Sequence, residues 1–170
     1  MWHARKVGRF TVHYVYSNCM AYFLLKTEPR AYSIDNLKRD TNTSWGGVRN
    51  YQARNVLRSM KKGDTCFVYH SSCEVPAIVG EAVVTKEAYS DPLQFEKKSE
   101  YYDEKSPSTE PRWSAVDIRF VKKYTQPLSL IEMKKIPALK AMRLLQRGNR
   151  LSVFPVEQPY AGAIVRLVSR

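Results

Sequence analysis

The segment Asn50–Ser71, NYQARNVLRSMKKGDTCFVYHS, decides the architecture, because its hydrophobic period switches from helix to strand across one turn. Ala53, Val56, Leu57 and Met60 fall at i, i+3, i+4 and i+7, the apolar stripe of an amphipathic helix over Asn50–Lys61. Arg54, Arg58 and Lys61 share another face of it. Gly63-Asp64 makes the turn, and Thr65–Ser71 is a strand rich in β-forming residues.

Working outward, Ala21–Lys26 reads as a buried strand that Pro29 ends, because proline cannot continue a central ladder. Ser33 caps a short helix through about Arg39. Pro76–Thr85 is a second strand after the turn, and Arg112–Lys123 a third long one. Between them Asp91–Pro111 is acidic, proline-punctuated and aperiodic, and reads as an excursion loop with one helical turn. Ser129–Lys135 is a short helix; Pro137 and Gly148 bracket another, with Lys140, Arg143 and Arg147 along one face. Leu151–Val156 is a short strand, followed by a C-terminal helix from about Pro159. Clustered strands with interspersed short helices and no βαβ alternation predict an α+β fold with a small barrel or curved sheet.

At 170 residues and 19.7 kDa, one compact domain is expected. The chain is 44% hydrophobic and 26% charged, with a mean hydropathy of −0.46, enough apolar surface for a core. No run approaches the ~20 apolar residues of a membrane helix, so no membrane partner is expected. Cys19, Cys66 and Cys73 are too few and too irregularly spaced for a disulfide framework or a four-thiolate zinc site, and a reducing compartment is expected. Residues 1–19 carry Arg5, Lys6 and Arg9 without an acid, which reads as either a leader peptide or an added strand, and Met20 is an alternative start. The expected location is intracellular, nucleus or cytoplasm, or the mitochondrion if that extension is a leader.

The formal net charge is +12, which favours a polyanionic partner. The charge is unevenly placed: Glu74–Glu110 holds nine acids and four bases, whereas Lys134–Arg170 holds eight bases and one acid. One positive and one negative face are expected. On the strand after Arg112, Val116, Ile118 and Phe120 point one way, and Trp113, Ala115, Asp117 and Arg119 the other. Trp113 on the polar side fits either a binding pocket or a cover for a neighbouring loop.

Little enzymatic chemistry is available. His70 is the only histidine after Met20, so a two-histidine metal site is unavailable, a mixed site would need Cys66 or Cys73, and no metal or cofactor is expected. Nucleophile-elbow, phosphate-loop and zinc-protease motifs are absent, with seven glycines in all. Adjacent His70 and Ser71 would point to opposite faces of a strand and should not form a hydrolytic pair. The remaining constellation is Trp45-Gly-Gly-Val-Arg-Asn-Tyr-Gln52, a glycine loop entering a helix. Its glycines admit close approach of backbone to a ligand, and the helix start offers free N–H donors. Asn50 is either an N-cap or a reader of a base edge, and Trp45 either a core staple or a stacking face.

Met20-Ala-Tyr-Phe-Leu-Leu-Lys-Thr-Glu-Pro29 and Trp45-Gly-Gly-Val-Arg-Asn-Tyr-Gln-Ala-Arg-Asn55 resemble the EVE domain family, as do Phe67–Ser72, Ile78–Gly80, Pro111–Trp113 and Arg150–Val156. The resemblance spans residues 20–170 and leaves 1–19 outside it. It implies a PUA-like small twisted β-barrel flanked by short helices, related to the YTH domains that read methylated adenine. It further implies a non-catalytic, monomeric reader of a modified base in DNA or RNA. Carried over by position, the base pocket would comprise Lys26, Glu28, Trp45, Val48, Arg49, Asn50, Tyr51, His70, Ser71, Trp113 and Ser152. Position 49 is arginine where the methyl-adenine readers place an aromatic cage wall, and arginine instead stacks on a base or grips a phosphate. Arg54, Arg58, Lys140, Arg143 and Arg147 are the expected phosphate contacts. Two other readings remain: an enzyme acting on a modified base with His70 as acid or base, and a protein-interaction module using Glu74–Glu110.

Overall fold

The computed structural model describes residues 20–169, so the leader-or-strand reading of residues 1–19 lies outside the described residues. The chain runs β1 (Tyr22–Thr27), α1 (Ile34–Asp40), β2 (Asn42–Trp45), α2 (Tyr51–Ser59), β3 (Thr65–His70), β4 (Ala77–Ser90), β5 (Ser114–Ser129), α3 (Leu130–Lys135), β6 (Val153–Val156) and α4 (Gln158–Val168). The six strands form one sheet in the order β2-β5-β4-β3-β1-β6. Only β1 and β3 are parallel; the other four pairings are antiparallel.

The α+β class and the twisted sheet follow the expectation, but the sheet stays open, with β2 and β6 as its edges. It curls rather than closes. Helix α2 packs on β4, β5 and β6, and a sheet can bring those strands to one helix only by bending around it. Of the stripe read from the sequence, Ala53, Leu57 and Met60 are fully buried there and Val56 is half-buried. Register shifts along β4 in its pairings with β3 and β5 supply the bends. At Gly80 a Cβ would collide with the Lys122 carbonyl and meet Ile34 at 2.9 Å, so a side chain is excluded where α1 crosses the sheet.

Two elements differ from the sequence reading. The helix expected between Pro137 and Gly148 is a pair of 3-10 turns, Pro137–Leu139 and Arg143–Leu145. Met142 stands in extended backbone between them, and burial of Leu139 and Met142, three residues apart, suits a three-residue period. Lys140, Arg143 and Arg147 are exposed but do not share one helical face. The short edge strand β2, paired with β5 through Asn42↔Arg119 to Trp45↔Val116, has no counterpart in the sequence reading, which assigns residues 40–44 to no element.

Candidate functional site

The C-terminal ends of parallel β1 and β3 lie side by side, and the Ser71 amide donates to the Thr27 carbonyl at 2.8 Å. The start of β6 joins them, with the Lys26 amide on the Ser152 carbonyl at 2.7 Å. Across from this end stand the close of β2 and the glycine loop. Between the two lies a cavity of about 850 Å³ lined by Lys26, Glu28, Tyr32, Trp45, Gly47, Val48, Ser71, Tyr101, Arg150 and Ser152, among others. Trp45 packs edge-on against Tyr32 at 6.5 Å between ring centres and is 9% exposed.

The wall is part apolar and part ionic. Lys26 and Arg150 place cations on it, Glu28 and Glu100 carboxylates. Burial pushes the Lys26 ammonium below the usual lysine range, and no carboxylate offsets that shift. An anionic or strongly hydrogen-bonding guest would be stabilised there. Among the described residues, no three His, Cys, Asp or Glu side chains gather as metal ligands.

Six of the eleven expected pocket residues line this cavity: Lys26, Glu28, Trp45, Val48, Ser71 and Ser152. The other five are elsewhere, for identifiable reasons. The Asn50 side-chain oxygen accepts from the Gln52 and Ala53 amides at 2.9 and 3.1 Å, so it caps α2. The His70 Nε2 accepts the Ile34 amide at 3.0 Å and thereby caps α1. Desolvation holds its pKa below the usual histidine value, which keeps the ring neutral and able to accept. Tyr51 stacks on Trp113 at 5.0 Å, with the Arg54 guanidinium over its outer face at 4.8 Å. Trp113 is 6% exposed and donates its indole N–H to Asp103 at 2.7 Å, so it underlies the excursion rather than facing the cavity.

Arg49 stands behind the cavity wall. Its guanidinium lies between the rings of Tyr101 and Trp113, 5.6 and 5.5 Å from their centres. It pairs with the fully buried Asp91 at 2.7 Å and donates Nε to the Tyr101 carbonyl at 2.8 Å. The phosphate candidates divide similarly. Arg54 donates to the Arg112 carbonyl at 3.0 Å, and Arg58 to Ser114 Oγ at 2.9 Å, so both tether the chain leading into β5.

Tyr32, Leu93, Glu100, Tyr101 and Arg150 line the cavity without having been singled out from the sequence. Three come from the Asp91–Pro111 excursion, which is not a loose loop. Its buried Gln94 donates to the Asp91 and Trp113 carbonyls at 2.7 and 3.1 Å and accepts from the Trp113 amide at 3.1 Å. An aspartate before proline at 91–92 is a recognisable cap signal for the 3-10 turn Pro92–Gln94, and it was the available clue.

The model of the EVE domain family matches residues 21–167. The chain belongs to the EVE domain family. Mouse and human thymocyte nuclear protein 1 are 42% and 41% identical to it over 160 residues, which is 83% of this chain and 70–71% of theirs. A Pseudomonas syringae protein has this EVE fold with a TM-score of 0.84 at 45% identity, covering 86% of this chain and 99% of that one. The human THYN1 protein, solved in complex with DNA containing 5-methylcytosine, superposes with a TM-score of 0.83 at 38% identity, over 88% and 98% of the two chains.

Proposed function

We propose that this EVE domain is a non-catalytic DNA-binding module that holds one modified base, 5-methylcytosine in the first instance, turned out of the duplex into the cavity. The observation that carries the reading is the cavity itself. It has the size of a small-ligand pocket, ~300–1,000 Å³, is framed by Trp45 and Tyr101, and contains the Lys26 ammonium, whose charged form burial disfavours. Supporting it is the DNA complex of the similar human protein.

A cytosine edge offers an amine donor beside ring acceptors. The wall offers the matching types: Glu28 or Glu100 to accept, and Lys26, Ser71 or Arg150 to donate. Val48 and Leu93 supply apolar surface against which a 5-methyl group can be buried. Base-on-aromatic stacking contributes about 1–3 kcal/mol, enough to offset the few kcal/mol that unstacking a base requires. Lys140, Arg143 and Arg147, exposed in the basic C-terminal third, take the flanking phosphates. Nuclear residence and action as a monomer belong to the same proposal. His70 is occupied by the α1 amide, which disfavours the acid–base reading.

Fluorescence polarisation with one duplex carrying cytosine, 5-methylcytosine or 5-hydroxymethylcytosine, and with its RNA counterpart, tests this. A preference of about tenfold, or 1.4 kcal/mol, for one modified DNA that Trp45→Ala abolishes is the expected result. Equal, salt-sensitive binding to every probe would refute it.

A further inference from the structure

We propose that Arg49 and Asp91 are positioning residues that set the selectivity of the cavity, by latching the Asp91–Pro111 excursion onto the glycine loop so that Tyr101 becomes a wall of the site. The proposal rests on the base-reading function argued above.

The latch is built from both sides. Asp91 is fully buried, and one of its carboxylate oxygens accepts the Gly47 amide at 2.9 Å and Arg49 Nη1 at 2.7 Å. Its other oxygen accepts the Leu93 amide at 3.0 Å, which starts the 3-10 turn of the excursion. A single carboxylate therefore ties the glycine loop to the first residues of the excursion. Arg49 ties down the far part. Its Nε and Nη2 both donate to the Tyr101 carbonyl, and its plane lies against the Tyr101 ring. Two N–H bonds converging on one oxygen fix orientation as well as distance, which a lysine cannot reproduce.

The two glycines complete the fit. A Cβ on Gly47 would lie 2.9 Å from Tyr101 Cζ, and one on Gly46 would lie 2.9 Å from an Asp91 oxygen. The Tyr101 ring thus sits directly on loop backbone, where any side chain would push it away. Leu93, Glu100 and Tyr101 are the excursion's cavity-lining residues, and all three hang from this latch. The groups facing Tyr101 contribute little to the polyanion grip, since Asp91 is buried and Arg49 is only 21% exposed at its side chain. The latch should therefore act on which base is accepted, and hardly on general attraction to DNA.

The test compares affinities for duplexes with 5-methylcytosine and with cytosine, each as a function of salt, in the wild type and in Arg49→Lys, Asp91→Asn, Tyr101→Phe and Tyr101→Ala. Arg49→Lys and Asp91→Asn are expected to reduce a tenfold preference to about twofold, with the affinity for unmodified DNA and its salt slope unchanged, whereas Tyr101→Ala, which removes the wall itself, is expected to lose the preference as well. Tyr101→Phe is expected to keep the preference, because the ring is held by its backbone and its face. Hydrogen exchange on the free proteins should show faster exchange across residues 99–103 in Arg49→Lys, with β1 and β3 unaltered. If Asp91→Asn does not fold, Arg49→Lys, which keeps the charge at a part-exposed position, decides alone. A wild type that prefers the modified duplex and variants that keep the full preference would overturn the latch and leave the base-reading function standing. A wild type with no preference for any modified duplex would overturn that function, and the latch as a selectivity device with it.

Discussion

Acidification is expected to weaken the fold through one ring, His70. Its Nε2 accepts the Ile34 amide at 3.0 Å, and Ile34 is the buried first residue of α1. Protonation would turn that acceptor into a donor facing an N–H, at the positive end of a helix. Burial is the main cause that holds the folded pKa below the unfolded value of about 6.5; Lys123 works in the same direction, while Asp35, paired with Lys123 at 2.8 Å, opposes it. The sign follows. Above about pH 6.5 neither state carries the proton and the full stability is present. Below it the unfolded chain binds a proton that the folded chain refuses, so stability falls with pH until the folded ring is protonated too. The slope is bounded by one proton, about 1.4 kcal/mol per pH unit. The contact at stake is one amide bond, worth about 1–3 kcal/mol when left unpaired. Because the ring is only half-buried, water replaces part of it, and we expect about 1 kcal/mol, or roughly 2–4 °C in a domain of this size. Urea titrations at about pH 8 and about pH 5 would compare the wild type with His70→Gln, which can still accept the Ile34 amide but does not titrate. The difference between the two proteins should grow on acidification. Identical pH dependence in both would refute the assignment.

Glycine substitutions separate backbone strain from contact. Gly148 has φ +78° and open space around it, so Gly148→Ala should lose only the left-handed preference, about 1 kcal/mol. Gly47 has φ +70° and the Tyr101 ring against it, so Gly47→Ala should lose more stability in a urea titration and weaken the preference for a modified duplex. Gln94→Leu should destabilise the protein by about 2–3 kcal/mol, by stranding the Trp113 amide and the Ser106 hydroxyl proton, with hydrogen exchange rising first in residues 91–113. Arg143→Ala and Arg147→Ala should each lower the salt slope of DNA binding by about 0.9. Arg54→Ala and Arg58→Ala should lower the melting temperature instead, because those side chains are spent on the carbonyl and hydroxyl groups of residues 111–114.

The elements legible in the sequence are those whose burial repeats along the chain. Helix α2 announces itself through Ala53, Val56, Leu57 and Met60, and β3 through an unbroken buried run from Cys66 to Tyr69. Strand β2 has no such repeat, since Trp45 is its one buried residue and its pairing with β5 defines it. The same distinction runs through the site. Lys26 and Ser71 enter through the family resemblance at two strand ends, and Trp45 also through the glycine loop that it opens. The resemblance places Asn50 and His70 in the pocket by position, and nothing local corrects it, because a side-chain acceptor looks equally available to a ligand and to a helix end. Only the fold shows that the amides of residues 52, 53 and 34 take them. The excursion was harder still. Its acidity and prolines describe a solvated loop, yet its order comes from Gln94, from Asp103 under Trp113, and from Asp91 meeting an arginine forty-two residues earlier in the chain. A buried ion pair at that separation leaves no periodic trace, and a carboxylate that neutralises Arg49 looks in sequence like one more acid in an acidic stretch. The consequence is functional. The half of the cavity built on β1, β3 and β6 is set by local pattern, whereas the half that carries Tyr101 depends on long-range polar pairing. A change of selectivity between EVE domains with the same strand motifs should therefore arise in the excursion and its latch, before it arises in the strands.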